Sequence, residues 1–213
     1  MIASIGNTRE QYQDVFGLYW PIGVAVFVLV AGALVFVVVR FRSREPEFPR
    51  GADAKRPLEL GWIAVVAALV AVLLALTYSS MDDLEAFEDQ KDGPLVEITA
   101  AKWNWRFDYP EAGVSQVGGD RRPTTLVVPA DTPVRFRGTS VDVIHAFWVP
   151  EVRFKRDLFP GRRTSFVLSF PEEGLLHLGG ECNQFCGLLH ATMTFNIRVV
   201  APAAFERWLR GRR

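Results

Sequence analysis

Two uncharged apolar runs decide what the first third of this chain can fold into. Trp20 to Val39 carries no charge over 20 positions, and Leu60 to Tyr78 none over 19. At ~1.5 Å per residue each makes a helix of about 28–30 Å, the thickness of a bilayer's hydrocarbon core. Strands do not run that long. The runs also account for a hydrophobic content of 49% at zero formal net charge. Glu10 and Asp14 precede the first run, and neither a basic leader nor a small-residue cleavage signal accompanies it. It therefore reads as a retained helix, not as a secretory signal. The expected helices cover about residues 19–41 and 58–80.

Basic residues orient this hairpin. Arg40, Arg42, Arg44, Arg50, Lys55 and Arg56 lie between the runs, against Arg9 alone before them. The positive-inside rule puts the connecting loop in the cytoplasm and both termini outside. A bacterial-type plasma membrane protein with two spans is expected, its globular part exposed on the periplasmic or outer face. The acidic stretch Met81 to Pro94 ends in Gly93-Pro94, a boundary signal. It reads as a solvated linker, or as a lure for a basic partner. The hairpin and linker take residues 1–94, and a second domain takes 95–213.

In that second part short apolar stretches alternate with turn residues, as in an all-β sandwich or barrel. Candidate strands are Leu95 to Trp103, Thr125 to Val128, Val134 to Gly138, Thr164 to Phe170, Leu175 to Gly179 and Met193 to Val199. About 120 residues suffice for one core. The tail from Pro202 to Arg213 reads as a short amphipathic helix with a basic end.

Chemistry concentrates in Cys182-Asn183-Gln184-Phe185-Cys186-Gly187-Leu188-Leu189-His190-Ala191-Thr192-Met193. Thiolate, imidazole and thioether together suit copper, and a weak axial Met marks electron-transfer copper sites. Two cysteines, where a mononuclear centre uses one, suit two coppers bridged by both sulfurs. A second imidazole is then needed. Of the chain's three histidines, His145 in Asp142-Val143-Ile144-His145 is the natural candidate. A disulfide or a closed Cys2His2 zinc site would use the same Cys and His residues. Neither uses Met193. His177, on Leu175-Leu176-His177-Leu178, reads as a structural or solvent-facing histidine.

The pattern H…C-x3-C-x3-H-x2-M resembles the dinuclear CuA site of cytochrome c oxidase subunit II. Asp142 to His145, Val149-Pro150, Lys155 to Arg162 and the aromatic run Trp103 to Tyr109 are similar to that family too. With the hairpin, the resemblance covers nearly all of the chain. It implies a two-helix transmembrane hairpin followed by an all-β cupredoxin-like Greek-key barrel. It also implies a ligand set: one copper on His145, Cys182, Cys186 and Met193, the other on His190, both sulfurs and the Gln184 backbone carbonyl. Many relatives carry Glu at position 184, whose side chain reaches a magnesium ion at the contact with subunit I. Gln184 keeps the carbonyl and lacks the charge, so the resemblance does not carry magnesium over. The run around Cys182 and His145-Ala146-Phe147 is closer to the B-type branch, the hairpin to the A-type.

Three further roles come from the resemblance, each beside a plainer reading. Trp103 matches the aromatic that accepts electrons from cytochrome c, although tryptophans also fill cores and interfaces. Asp142 matches an acid on the docking face, and would equally cap its own loop. Glu59, in Glu59-Leu60-Gly61-Trp62, is similar to a carboxylate at the mouth of a proton channel. An acid in a first helical turn is also favoured by the helix dipole. The function implied is electron transfer from cytochrome c or a small copper protein, through CuA, to haem in subunit I. Oxygen reduction and proton translocation then occur on that partner, with subunit III alongside and membrane lipid around the hairpin. No nucleic acid is expected, and no C-x-x-C-H motif for haem c occurs. A CuA-type nitric oxide reductase would share every site residue. A quinol oxidase subunit would lack the Cys and His pairs, and a copper-delivery protein would carry Met/His-rich tracts.

Overall fold

The computed structural model describes residues 8–42, 55–88, 92–118 and 122–212. Most of the basic loop, Arg44 and Arg50 included, and residues 89–91 of the acidic stretch lie outside the described residues. The chain divides into two units, residues 14–85 and the remainder.

The first unit holds most of two helices, α1 (Thr8–Arg40) and α2 (Arg56–Glu88). Both hold stretches apolar and long enough to cross a membrane, with none of those windows buried within the protein. A helix apolar all round and unburied requires an apolar solvent. The two helices are clasped by polar groups. Tyr19 Oη donates to the Leu73 carbonyl at 3.0 Å and lies 2.8 Å from Thr77 Oγ1. Thr77 Oγ1 also donates to the Leu73 carbonyl, at 2.8 Å. With no water in a bilayer core, such groups must satisfy one another. Both helices outrun the apolar runs that announce them. Lipid contact ends where polarity begins, but helix continues until a breaker, and residues 8–18 contain no proline. Likewise 81–88, expected to open the linker, continue α2; Gly93-Pro94 is the first breaker after them.

The second unit holds two five-stranded sheets. The first comprises β1 (Leu95–Ala101), β2 (Asn104–Tyr109), β3 (Val114–Val117), β5 (Val134–Ser140) and β8 (Thr164–Leu168), in the order β3-β2-β1-β5-β8. The second comprises β4 (Thr124–Pro129), β6 (His145–Val149), β7 (Phe154–Leu158), β9 (Gly174–Cys182) and β10 (Thr194–Val200), in the order β4-β10-β9-β6-β7. Pairings are antiparallel except β1 with β5 and β4 with β10. These two parallel pairs join strands distant in sequence, as in Greek-key connections.

Aromatic rings fill the space between the sheets. Phe147 of β6 lies 5.0 Å from Phe195, 5.6 Å from Phe166 and 5.8 Å from Phe136, ring centre to ring centre. Such pairs add about 0.5–1.5 kcal/mol each beyond their area burial. α3 (Pro202–Arg210) closes one side of the second unit, with Phe205 and Trp208 against Tyr109. The Tyr109 hydroxyl both donates to the Val127 carbonyl and accepts from its N–H, each at 2.8 Å.

β2, β3, β6 and β7 were not among the expected strands. β6, His-Ala-Phe-Trp-Val, is buried at four of five positions and so shows no alternation. β7 is a charged edge strand, Phe-Lys-Arg-Asp-Leu. β9 runs three residues beyond its expected end at Gly179, which carries it to Cys182. It does so through Gly180, where a Cβ would overlap the Phe195 ring. Gly180→Ala is therefore expected to cost about 1–3 kcal/mol through overpacking, read as a lower denaturation midpoint at unchanged slope.

Candidate metal centre

Cys182 is the last residue of β9 and pairs with Phe147 in β6, two residues from His145 at the start of that strand. The chain then leaves the sheet and returns at Met193. Its neck is closed by Cys182 N–H donating to the Met193 carbonyl at 2.9 Å and Asn183 N–H to the Ala146 carbonyl at 3.2 Å. Inside the loop, His190 N–H donates to the Gly187 carbonyl at 3.1 Å, and Met193 N–H to the His190 carbonyl at 3.2 Å. A short 3-10 turn, His190–Thr192, follows from these bonds. Gly187 has φ of +117°, where a side chain is strained, and a Cβ there would sit 3.3 Å from the Trp103 ring.

This closure gathers the soft donors. Cys182 Sγ and Cys186 Sγ lie 3.9 Å apart. His145 Nδ1 is 3.7 Å from Cys182 Sγ, and His190 Nδ1 is 3.5 Å from Cys186 Sγ. Met193 Sδ stands 3.9 Å from Cys186 Sγ, and the Gln184 carbonyl oxygen 3.2 Å from Cys182 Sγ. The two sulfurs thus occupy the middle, with one imidazole on each and a weak donor beside each. His145 is wholly buried, and Cys182, Cys186 and Met193 are at most 6% exposed. Both cysteines are free thiols. His145 with the two cysteines forms the close group able to hold an ion among the described residues.

The surroundings bias the ionisation of these groups. Burial pushes the Cys182 thiol up, but hydrogen bonding with His145 and with the backbone at Ala146 and Gln184 outweighs it and brings the thiol down to about 6. Burial and the charge on Cys182 raise Cys186. The pair therefore favours one thiolate before any ion binds. Burial disfavours the His145 cation, yet Cys182 on one edge and Asp142 on the other raise its pKa.

Asp142 has the best-defined auxiliary position. Its Oδ1 lies 2.8 Å from His145 Nε2 and accepts the Val143 N–H at 2.6 Å. Its Oδ2 accepts the Lys102 N–H at 2.7 Å, one residue before Trp103. Partial burial favours the neutral carboxyl, but the hydrogen bonds from His145, Lys102 and Val143 hold it at about 2. A carboxylate there accepts a hydrogen bond from Nε2–H and leaves Nδ1 as the free lone pair, the atom aimed at Cys182. Trp103 Nε1 donates to the Cys186 carbonyl at 3.3 Å, with the indole over Gly187.

Other predicted residues stand apart from this cluster. Glu59 is in the first turn of α2, in the other unit. His177 is exposed on β9, next to Leu178, whose φ of 49° and bond to Asn196 mark a bulge. Asn104, the first residue of β2, reaches the chain just beyond β3, its Nδ2 donating to the Gly118 carbonyl at 2.6 Å. Sequence reasoning gave Trp105 no part beyond core or interface, yet its indole also reaches the loop. Its spacing of two from Trp103 on an alternating strand was the available signal.

The donor set fits copper chemically: two thiols, two imidazoles, a thioether and a carbonyl, with no carboxylate among them. A closed zinc site would leave the thioether and carbonyl without a part. Residues 107–200 match the family model described as cytochrome c oxidase subunit II, periplasmic domain. A probable cytochrome c oxidase subunit 2 of Nocardia farcinica is 28% identical, the match covering 91% of this chain and 69% of that one. The cytochrome c oxidase subunit 2 of Cereibacter sphaeroides is 26% identical, over 97% and 77% respectively. The crystal structure of the periplasmic domain of cytochrome oxidase subunit II of Bradyrhizobium japonicum is similar with a TM-score of 0.52 at 28% identity. That match covers 58% of this chain and 95% of that one.

Proposed function

We propose that the chain, similar over residues 107–200 to the periplasmic domain of cytochrome c oxidase subunit II, is a member of that family, receiving electrons from an external carrier at a dinuclear copper centre and passing them to haem in a partner subunit. The observation that carries this reading is the paired arrangement around two sulfurs 3.9 Å apart, each sulfur facing its own imidazole. His145, Cys182, Cys186 and Met193 would hold one copper. His190, both sulfurs and the Gln184 carbonyl would hold the other. Copper held by these residues would supply a one-electron redox couple with little change in bond lengths.

The protein's own work is to hold donors still and exclude water. Cys182 and Met193 are tied across the loop neck, so neither moves without the other. His145 is fixed at both ring nitrogens, one toward Cys182 and one on Asp142. Rigid ligands and a dry shell keep reorganisation small. The Trp103 indole reaches the Cys186 carbonyl directly, which supports Trp103 as the surface group through which electrons arrive. Trp103→Phe removes that hydrogen bond and is expected to leave the copper spectrum in place. It should slow electron arrival at least about tenfold, or about 1.4 kcal/mol in barrier. Stopped-flow reduction by the donor reads this, and an unchanged rate would move the route elsewhere.

The remaining roles follow from the same reading. The hairpin anchors the chain with both termini outside, and the basic loop faces the cytoplasm. Subunit I carries haem and the oxygen-reducing site, with subunit III beside it. The donor is cytochrome c or a small copper protein. Glu59 stands at the cytoplasmic start of α2, where a proton-channel mouth would lie. The deciding test follows donor oxidation, copper reduction and haem reduction in the complex of this chain with its haem subunit. Haem reduction that lags copper reduction supports the reading. Haem reduced equally fast in copper-free complex contradicts it. Consumption of oxygen or of nitric oxide by that complex fixes the reaction served.

A further inference from the structure

Trp105 sits in β2, on the sheet opposite the one that carries the cysteine loop, and is 1% exposed. Its indole Nε1 donates to the Met193 carbonyl at 3.2 Å. Cys182 N–H donates to the same oxygen at 2.9 Å, so the carbonyl closing the loop neck takes one donor from each sheet. The Trp105 ring also stands edge-on to His145, ring centres 6.4 Å apart, and to Phe195 at 5.3 Å. Its own position is fixed from behind: the Trp105 N–H donates to Asn104 Oδ1 at 2.8 Å, and Asn104 in turn holds Gly118.

A buried indole N–H must find an acceptor, and a Phe would fill most of the same volume without that demand. The acceptor here is the backbone of the residue whose thioether stands 3.9 Å from Cys186 Sγ. We propose that Trp105 is a positioning residue of the metal centre: through the Met193 carbonyl and the edge of His145 it sets how closely the thioether approaches the sulfur pair. The inference rests on the copper reading above. The distance of a weak axial donor tunes the potential of a thiolate copper site, so Trp105 also sets that potential. Asn104 acts behind it, through its hydrogen bonds to the Trp105 N–H and to Gly118.

The test uses the full chain in detergent, copper-loaded and copper-free, with Trp105→Phe beside two references. Met193→Leu marks the effect of losing the thioether. Phe107→Leu loosens the same aromatic core, since Phe107 packs on Phe147 and Phe195 and has no polar atom to offer the Met193 carbonyl. Trp105→Phe is expected to keep two coppers and to move the midpoint potential and the paramagnetic spectrum in the direction of Met193→Leu, by less. Phe107→Leu is expected to lower stability and leave the potential at the wild-type value. In the copper-free chain, exchange of the Cys182 amide is expected to quicken about two- to tenfold in Trp105→Phe, the scale of one lost hydrogen bond. An unchanged potential together with unchanged exchange overturns the role of Trp105, as does an equal shift in Phe107→Leu. A wild-type chain that takes up no copper overturns the copper reading instead, and the exchange comparison still decides whether Trp105 holds the loop.

Discussion

Cys186→Ser is expected to yield a folded chain that binds fewer than two copper ions and shows no shared-electron signal. Cys186 is the hub of the donor cluster: its Sγ lies within 3.9 Å of Cys182 Sγ, His190 Nδ1 and Met193 Sδ. A serine hydroxyl is a hard donor that stays protonated at neutral pH, so it replaces neither the charge nor the softness of a bridging thiolate. The loss of affinity should exceed the about 10–100-fold typical of residues that only support a ligand. The fold should survive, because Ser is slightly smaller and the loop neck between Cys182 and Met193 is a backbone bond. Copper quantitation with circular dichroism reads both halves of this expectation. Two coppers retained in Cys186→Ser would place the bridging role elsewhere.

Asp142→Asn carries the second large effect, and it separates two roles for one residue. In the docking role, loss of the charge weakens donor association at low salt and leaves copper untouched. In the bracing role read from the geometry, one carboxylate oxygen accepts from His145 Nε2–H and the other from the Lys102 N–H. An amide offers one acceptor where two are used. Its NH2 group would then face either Lys102 N–H or His145 Nε2. Facing His145, it stabilises the tautomer with the proton on Nδ1, on the side of Cys182. Copper affinity should fall about 10–100-fold, the usual cost of losing a partner behind a metal-bound histidine. A competition titration with a copper chelator measures it, and an unchanged affinity with salt-sensitive donor binding would leave docking as the role of Asp142. The sign of the pH dependence follows from the direction of the shift. Asp142 is held at about 2, below the ordinary carboxylate range. The brace is therefore fully present above that range and fades as pH falls through about 2.

How far each of these features was legible in the sequence varies with the kind of signal. The apolar runs announced both helices but not their ends, because hydropathy reports lipid and not helix termination. Cys182, Cys186, His190 and Met193 were legible as a unit because one loop carries them all. The structure adds that β9 must run through Gly179 and Gly180 to deliver Cys182 beside β6. His145 was legible only by the need for a second imidazole; its strand was not, since β6 is buried on both faces and shows no period of two. Asp142 was read as a surface acid because spacing from a histidine says nothing about which ring nitrogen it meets. Trp105 was read as core or interface for a similar reason: a buried tryptophan in a strand looks like core, and its one polar atom acts across the sandwich.

The most direct test of a dinuclear copper site is electron paramagnetic resonance with copper quantitation on the copper-loaded full chain. Two coppers per chain, with hyperfine structure from two equivalent nuclei, is the result expected if both sulfurs bridge. One copper with a single-nucleus pattern, or a preference for zinc, would contradict it.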